Sequence, residues 1–248
     1  MMRVLKVVLE GTTTSFRYPH FMLSVHPSFP LPPPATIYGH ICSVMGEWVA
    51  PEGLQFAYHF TAQGIGEDLE HIHVLTAATG KLPGTKLPKV IEGNVNPLTR
   101  QILLHPRLVL YLNRPDWVEH FRHPRYPVLL GRSQDLACYT RVEVVELEQR
   151  PEVYFEHTLL PYRVATQTAV GVVALMPRWL DYEQQRQPSF ARYLLLQQRV
   201  RSRDFKQFGA AEQPRFWADP RAMQSKGVPL GLWFHSFTGA EDEALSLA

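Results

Sequence analysis

Apolar, β-branched positions crowd the stretch from Arg3 to Glu10, which reads as a first strand. Gly11 to Ser15 is turn-like, and a dense loop follows, Phe16-Arg17-Tyr18-Pro19-His20. Five prolines between positions 27 and 34 exclude a helix there. From Ala35 the period changes. Ile37, Ile41, Val44 and Trp48 fall on one helical face, Pro32-Pro33-Pro34 forms a stiff entry, and Pro51 with Gly53 marks the end. Phe56 to Gln63 alternates as a second strand. Leu103 to Leu112 is a third, with Pro106 implying an edge or a bulge. Asp116 to His123 is a short helix, and Cys138 to Leu147 a fourth strand.

Between the second and third strands, residues 64–101 carry scattered Gly and Pro together with Lys81, Lys86, Lys89 and Arg100. A weakly structured stretch of that length inside a compact domain needs a purpose, and we expect a projecting arm. The order is β-α-β, a long insertion, then β-α-β. This predicts an α+β domain over residues 1–150 of ferredoxin-like (RRM-like) βαββαβ type, an arrangement RNA-recognition modules use. Residues 151–248 hold an apolar strand (Val170 to Met176), a polar helix (Phe190 to Arg203) and a last strand (Gly231 to Phe237). They are expected to form a small β-rich extension that completes or flanks the sheet.

Composition narrows the class. With 248 residues and 45% hydrophobic content the chain can bury an ordinary core. Two cysteines, Cys42 and Cys138, form no CxxC pair, and Met1-Met2-Arg3-Val4-Leu5-Lys6 is too charged for the apolar region of a secretory signal. A cytoplasmic protein is expected. The longest apolar run, Ala169 to Met176, is strand-sized, so no membrane association is expected. Net charge is only +2, but it is unevenly spread. Residues 100–141 and 186–226 are rich in arginine, residues 142–185 are acidic, and Glu241-Asp242-Glu243 ends the chain with acids. Arginine's planar fork suits phosphates and base stacking, although a solvated surface is the better explanation of the charge patterning taken alone.

Enzyme signatures are missing: no GxSxG, no Walker loop, no HExxH. The His71/His73 and His120/His123 pairs have metal-compatible spacing but no partner ligands, so neither metal nor cofactor is expected. A metal-independent ribonuclease, using His20, Tyr18 and Lys86 on a 2′-hydroxyl and phosphorane, is the enzymatic alternative. Two clusters stand out as binding surfaces. Phe16-Arg17-Tyr18-Pro19-His20-Phe21 sets rings beside a cation. Leu130-Gly131-Arg132-Ser133-Gln134-Asp135 offers a close-approach glycine, a capping Ser133 and an anion-binding Arg132.

These two clusters, with Leu31-Pro32-Pro33-Pro34-Ala35-Thr36-Ile37-Tyr38-Gly39 between them and Leu136 closing the second, resemble the fifth CRISPR-associated protein family, most of all its type I-B branch. The resemblance runs through residues 1–150. It implies a RAMP-type subunit of Cascade that caps the 5′ handle of crRNA, contacts the large subunit and abuts the first backbone subunit. It also leaves open a contact, shared with the large subunit, to target DNA near the protospacer-adjacent motif. On this footing residues 64–101 are a β-hairpin thumb over the RNA, and Tyr38 and His40 lie close to the handle. Arg17, Tyr18, His20, Arg100, Gly131, Arg132, Ser133 and the thumb residues Lys81, Lys86 and Lys89 complete the expected RNA contacts. The type I-C branch, which cuts precursor RNA, carries a tyrosine late in the first helix and a Lys-His pair. This chain has Val44-Met45-Gly46-Glu47 there and no Lys-His dipeptide, so a non-catalytic role is expected.

Overall fold

A computed structural model describes residues 1–21, 25–205 and 215–239. The acidic run Glu241–Glu243 and positions 206–214 of the second basic block lie outside the described residues. The elements are β1 (Met2–Gly11), β2 (Thr13–Thr14), β3 (Val25–His26), α1 (Pro34–Met45), β4 (Gln55–Thr61), β5 (Gly64–Ala77), β6 (Ile91–Leu104), β7 (Arg107–Leu112), α2 (Val118–Arg122) and β8 (Ala137–Arg150). The second half is almost entirely short strands: β9 (Tyr154–Phe155), β10 (Thr158–Pro161), β11 (Val172–Asp181), β12 (Gln187–Leu196), β13 (Val200–Arg201), β14 (Phe216–Ala218), β15 (Gln224–Ser225), β16 (Val228–Pro229), β17 (Gly231–Leu232) and β18 (His235–Ser236).

A seven-stranded antiparallel sheet in the order β17-β14-β8-β1-β7-β4-β18 organises the molecule. Both of its faces are covered. Leu5, Val7 and Leu9 of β1 enter the main core beneath α1 and α2, while Val4 and Val8 enter a second core on the other face. There Lys6 is buried too. It pairs with Asp219 at 2.5 Å, Tyr111 donates to the same carboxylate at 3.0 Å, and the Arg221 amide donates to it at 2.9 Å. The C-terminal segment is thereby anchored to the back of the sheet by a buried ion pair rather than by apolar contact alone.

Helix α1 starts on Pro34 and buries Ile37, Tyr38, Ile41 and Val44. It stops at Gly46, whose φ of +79° and close neighbour (a Cβ there would stand 2.4 Å from Arg125 Cγ) both demand glycine. Trp48 therefore lies beyond the helix, not on its apolar face as its spacing suggested.

Two further expectations change. Residues 64–104 form a regular hairpin, β5 and β6 pairing from Gly64↔Leu104 to Ala77↔Ile91. At about 3.3 Å per residue the ladder spans roughly 40 Å. Only its base is held, by β2 at Leu103–Leu104 and β3 at Thr99–Arg100, so Pro97 sits where the outer edge of β6 has no partner strand to miss its N–H. The first half of the stretch expected as a helix, Phe190 to Arg203, is strand β12, paired with both β10 and β11, and Val200–Arg201 is strand β13. Ala191, Tyr193 and Leu195 face the main core and Leu194 and Leu196 a third one. A strand buried on both faces loses the alternation that would have announced it.

Candidate nucleic-acid interface

The Phe16–His20 loop and the Gly131–Asp135 loop meet. Thr14 Oγ1 donates to the Leu130 carbonyl at 2.6 Å, and a Cβ on Gly131 (φ +94°) would stand 2.6 Å from that same hydroxyl. Only glycine permits this approach. Ser15 Oγ donates to the Gln101 carbonyl at 2.8 Å, and Gln101 Oε1 accepts from the Ser28 amide at 3.0 Å. The two loops and the hairpin base are thus one bonded unit. They wall a cleft of about 620 Å³ that Arg17, Thr36, Glu70, Arg100, Gly131 and Arg132 line.

Two of the three arginines that line this cleft are not free. Arg132 makes a two-pronged bond to Asp135 (2.9 Å from both Nε and NH2) and reaches Glu70 at 2.6 Å and Asp68 at 3.3 Å. Asp135 is fully buried and also accepts from Thr13 Oγ1 and the Arg132 amide. Arg100 bonds Glu70 at 2.5 Å, with His26 Nδ1 3.3 Å from its NH2. Burial works against ionisation of Glu70, but hydrogen bonds from Arg100 and Arg132 carry its carboxyl below the usual range. The expected anion site at Gly131–Arg132 exists, and the protein's own Asp135 occupies it. Ser133 is exposed and makes no side-chain hydrogen bond among the described residues, so it does not cap the turn; Asp135 does.

Tyr38 and His40 also depart from expectation. Tyr38 is buried and donates to the Val49 carbonyl at 2.5 Å, and burial pushes its hydroxyl up to about 12. His40 lies 2.9 Å from the Leu129 carbonyl through Nδ1 and 2.6 Å from the Tyr139 hydroxyl through Nε2. Burial lowers its pKa to about 4, so the ring is neutral, donating to the carbonyl and accepting from tyrosine. Both side chains are tied to the backbone around α1, and both contribute to the wall of a neighbouring groove.

A second groove of about 550 Å³ adjoins the first, sharing Arg17, Thr36, Gly131 and Pro177 with it. Its walls are the open side of α1 and the β11–β12 hairpin. Arg17 and His20 are exposed, and His20 lies 5.6 Å from the Phe190 ring. Tyr18 is half-buried, 3.6 Å from Phe29, and burial raises its pKa. Sequence reasoning missed two groove residues and a neighbour of one of them. Trp48 and Arg186 line the groove, Arg186 in the turn at φ +62°, and a third residue, Tyr182, stacks on Trp48 at 4.4 Å and 21° without lining the groove itself. Trp48 was taken for a core position, and only the β11–β12 pairing brings Tyr182 to it.

Lys81 and Lys86 are exposed at the hairpin tip, and Lys89 is half-buried there, pairing with Glu92 at 2.8 Å. Seven residues of ladder separate Glu70 in the cleft from Ala77 below that tip, roughly 23 Å, so the structure does not bring Lys86 to Tyr18 and His20. Among the described residues no three His, Cys, Asp or Glu side chains gather to hold a metal ion, and no helix is long and apolar enough to cross a membrane.

No family model and no curated protein matches this sequence. Among solved structures, a chain of a CRISPR RNA-guided surveillance complex superposes with a TM-score of 0.50 at 13% identity, covering 81% of this chain and 92% of that one. A Cas protein crystal structure matches with a TM-score of 0.40 at 12% identity, over 82% of this chain and 97% of that chain. A chain of a type III-B Cmr-β complex bound to cognate target RNA gives 0.43 at 12%, over 85% and 90%. At such identity the first likeness is one of fold: a mixed α+β, strand-rich chain built on an antiparallel sheet.

Proposed function

We propose that this chain is a non-catalytic subunit of a type I CRISPR surveillance complex, type I-B-like, that grips the 5′ handle of crRNA between the large subunit and the backbone in the cytoplasm. On this reading β8-β1-β7-β4, with α1 and α2, is the ferredoxin-like core of a domain over residues 1–150, and residues 151–248 are its extension. The observation that carries it is the joining of two loops 116 residues apart, Thr14 to Leu130, into one cleft at the foot of a long exposed hairpin. A single strand laid through that cleft meets exposed Arg17 and His20 beside the ring of Tyr18, the combination that holds phosphates and unstacked bases. Lys81, Lys86 and Lys89 reach the strand from the hairpin. Arg100, Arg132, Tyr38 and His40 act from behind, as struts.

Fluorescence anisotropy of a labelled handle RNA on the purified chain, from about 50 to 200 mM salt, tests this. Binding should weaken steeply with salt, and Arg17→Ala should flatten the slope by about 0.7, one phosphate contact on a single strand. Absent or salt-insensitive binding would sink the reading. Incubating the chain with repeat RNA in EDTA should leave it intact; a single site-specific cut would make it a nuclease instead.

A further inference from the structure

The two edges of strand β8 are covered unequally. On one, β1 lies against it from Ala137 to Leu147. On the other, β14 covers Glu148 to Arg150, and the Ala137 amide donates to the Val128 carbonyl at 3.0 Å. Among the described residues nothing pairs with that edge between these two covers. The alternation of an antiparallel ladder tells which groups are left over. The Gly11 amide donates to the Pro106 carbonyl, so Gly11, Leu9, Val7 and Leu5 turn their backbone groups towards β7. Val8, Lys6 and Val4 turn theirs towards β8, where they engage Arg141, Glu143 and Val145. Val142, Val144 and Glu146 therefore direct their amides and carbonyls outward. The bulge at Thr140 reconciles this phase with the outward amide of Ala137. Such a row of open groups is a template for another strand.

The gap is short and closed at both ends: Val142 to Glu146 spans roughly 17 Å. A second copy of the chain cannot fill it. Paired antiparallel about Val144, its residues 148–150 would stand opposite residues 138–140, and the β14 on that edge would collide with them. A lone extended segment fits. Beside the gap lies a pocket of about 470 Å³, lined by Phe121, Arg122, Val128, Tyr139, Arg141 and Val142 and by no carboxylate. Arg122 and Arg141 hold only surface partners, Glu119 at 2.7 Å and Glu143 at 3.7 Å, pairs easily exchanged for another acid. Val142 and Val144 are half-buried and offer apolar surface to alternate side chains of an added strand.

We propose that the edge of β8 from Val142 to Glu146 docks one short extended segment of a partner protein, which adds a strand antiparallel to β8 and sets an acidic side chain against Arg141 and Arg122. This goes beyond the handle-binding reading and is independent of it.

Amide hydrogen exchange, read by NMR on the full chain without RNA, tests it. The amides of Val142, Val144 and Glu146 should exchange at least about tenfold faster than those of Glu143 and Val145. The acetylated peptide Val-Thr-Val-Thr-Val-Asp-Glu should slow the outward three. The same peptide N-methylated on its valines should not, and one ending in Lys-Lys should do so less. Val144→Pro removes an outward amide and no bond to β1, and should abolish the response. Slow exchange of Val142 and Val144 in the free chain would show the edge already covered and overturn the site. So would no response to the acidic peptide, or an equal response to the N-methylated one. None of these outcomes touches the handle-binding reading, which its own RNA titration decides.

Discussion

The two adjoining clefts share Arg17 and differ in the state of the arginines that belong to each alone. In one, Arg132 and Arg100 face Asp68, Glu70 and Asp135, so two guanidinium groups meet three carboxylates and the local balance is negative. In the other, Arg17 and Arg186 face rings and no acid. The first arrangement is a clasp. Its bonds tie the Gly131–Asp135 loop to the foot of the hairpin, and a phosphate arriving there would have to displace carboxylates already in place. The second can take an anion without breaking anything. Arginine count along a chain does not distinguish the two; Asp135 is three residues from Arg132, but the other two carboxylates come from β5, more than sixty residues away.

The clasp predicts the largest effect. Asp135→Ala removes a fully buried carboxylate and strands Arg132, Thr13 and an amide, a loss of about 3–5 kcal/mol. For a chain this size that lowers Tm by roughly 6–20 °C in a thermal melt. Asp135→Asn, which keeps the shape, should cost less. A melt unchanged by Asp135→Ala would mean the cleft arginines are free after all.

Arg132→Lys against Arg17→Ala sharpens the contrast next. Lysine cannot make the two-pronged bond to Asp135, so Arg132→Lys should lower Tm while leaving the salt slope of RNA binding unchanged. Arg17 is exposed, so Arg17→Ala should leave Tm within about 2 °C and change the slope. If both variants alter the slope equally, the two clefts bind phosphate alike.

Protonation gives a third, smaller probe. His40 has its folded pKa lowered to about 4 by burial. Its neutral form is the native one, so the stability it supports is complete above about pH 6.5 and drains away as pH falls towards 4. Glu70, depressed by its arginines, contributes above the ordinary carboxylate range and loses that contribution only below it. Urea unfolding between pH 7 and 3 should therefore decline in two stages, the upper one flattened by His40→Gln and the lower by Glu70→Gln.

What the sequence could reveal follows the same physics. The β-α-β, insertion, β-α-β order was readable because β4, though buried on both faces, alternates large rings (Phe56, Tyr58, Phe60) with Ala57 and His59, and Ile37, Ile41 and Val44 keep helical spacing along α1. β12 was not, because Tyr193 and Leu194 point into different cores. The Phe16–His20 loop was readable as a surface from its composition, and Arg17 and His20 are exposed. Arg132, equally conspicuous, was misjudged because its spacing to Asp135 does not reveal that the carboxylate turns back onto it, and because Asp68 and Glu70 reach it only in the folded hairpin. Gly64, Gly66 and Gly93 made the hairpin look irregular, yet all three sit in paired strands.

That hairpin supplies the smallest expected change in stability. Beyond Glu70 and Leu98 almost every residue is exposed, including Leu75, Ile91 and Val95, so the outer ladder is held by its own hydrogen bonds and little burial. Two strands alone are marginal in water. Excising residues 72–96 and joining His71 to Pro97 through an Asn-Gly turn would leave the Glu70 and Arg100 bonds untouched and should move Tm by no more than about 2 °C. The same excision removes Lys81, Lys86 and Lys89, so RNA affinity should fall at low salt and converge with the wild type at high salt. A large drop in Tm would show that the outer hairpin braces the fold. In that case the division between a bracing foot and a reaching tip, on which the contrast of the two clefts depends, would have to be redrawn.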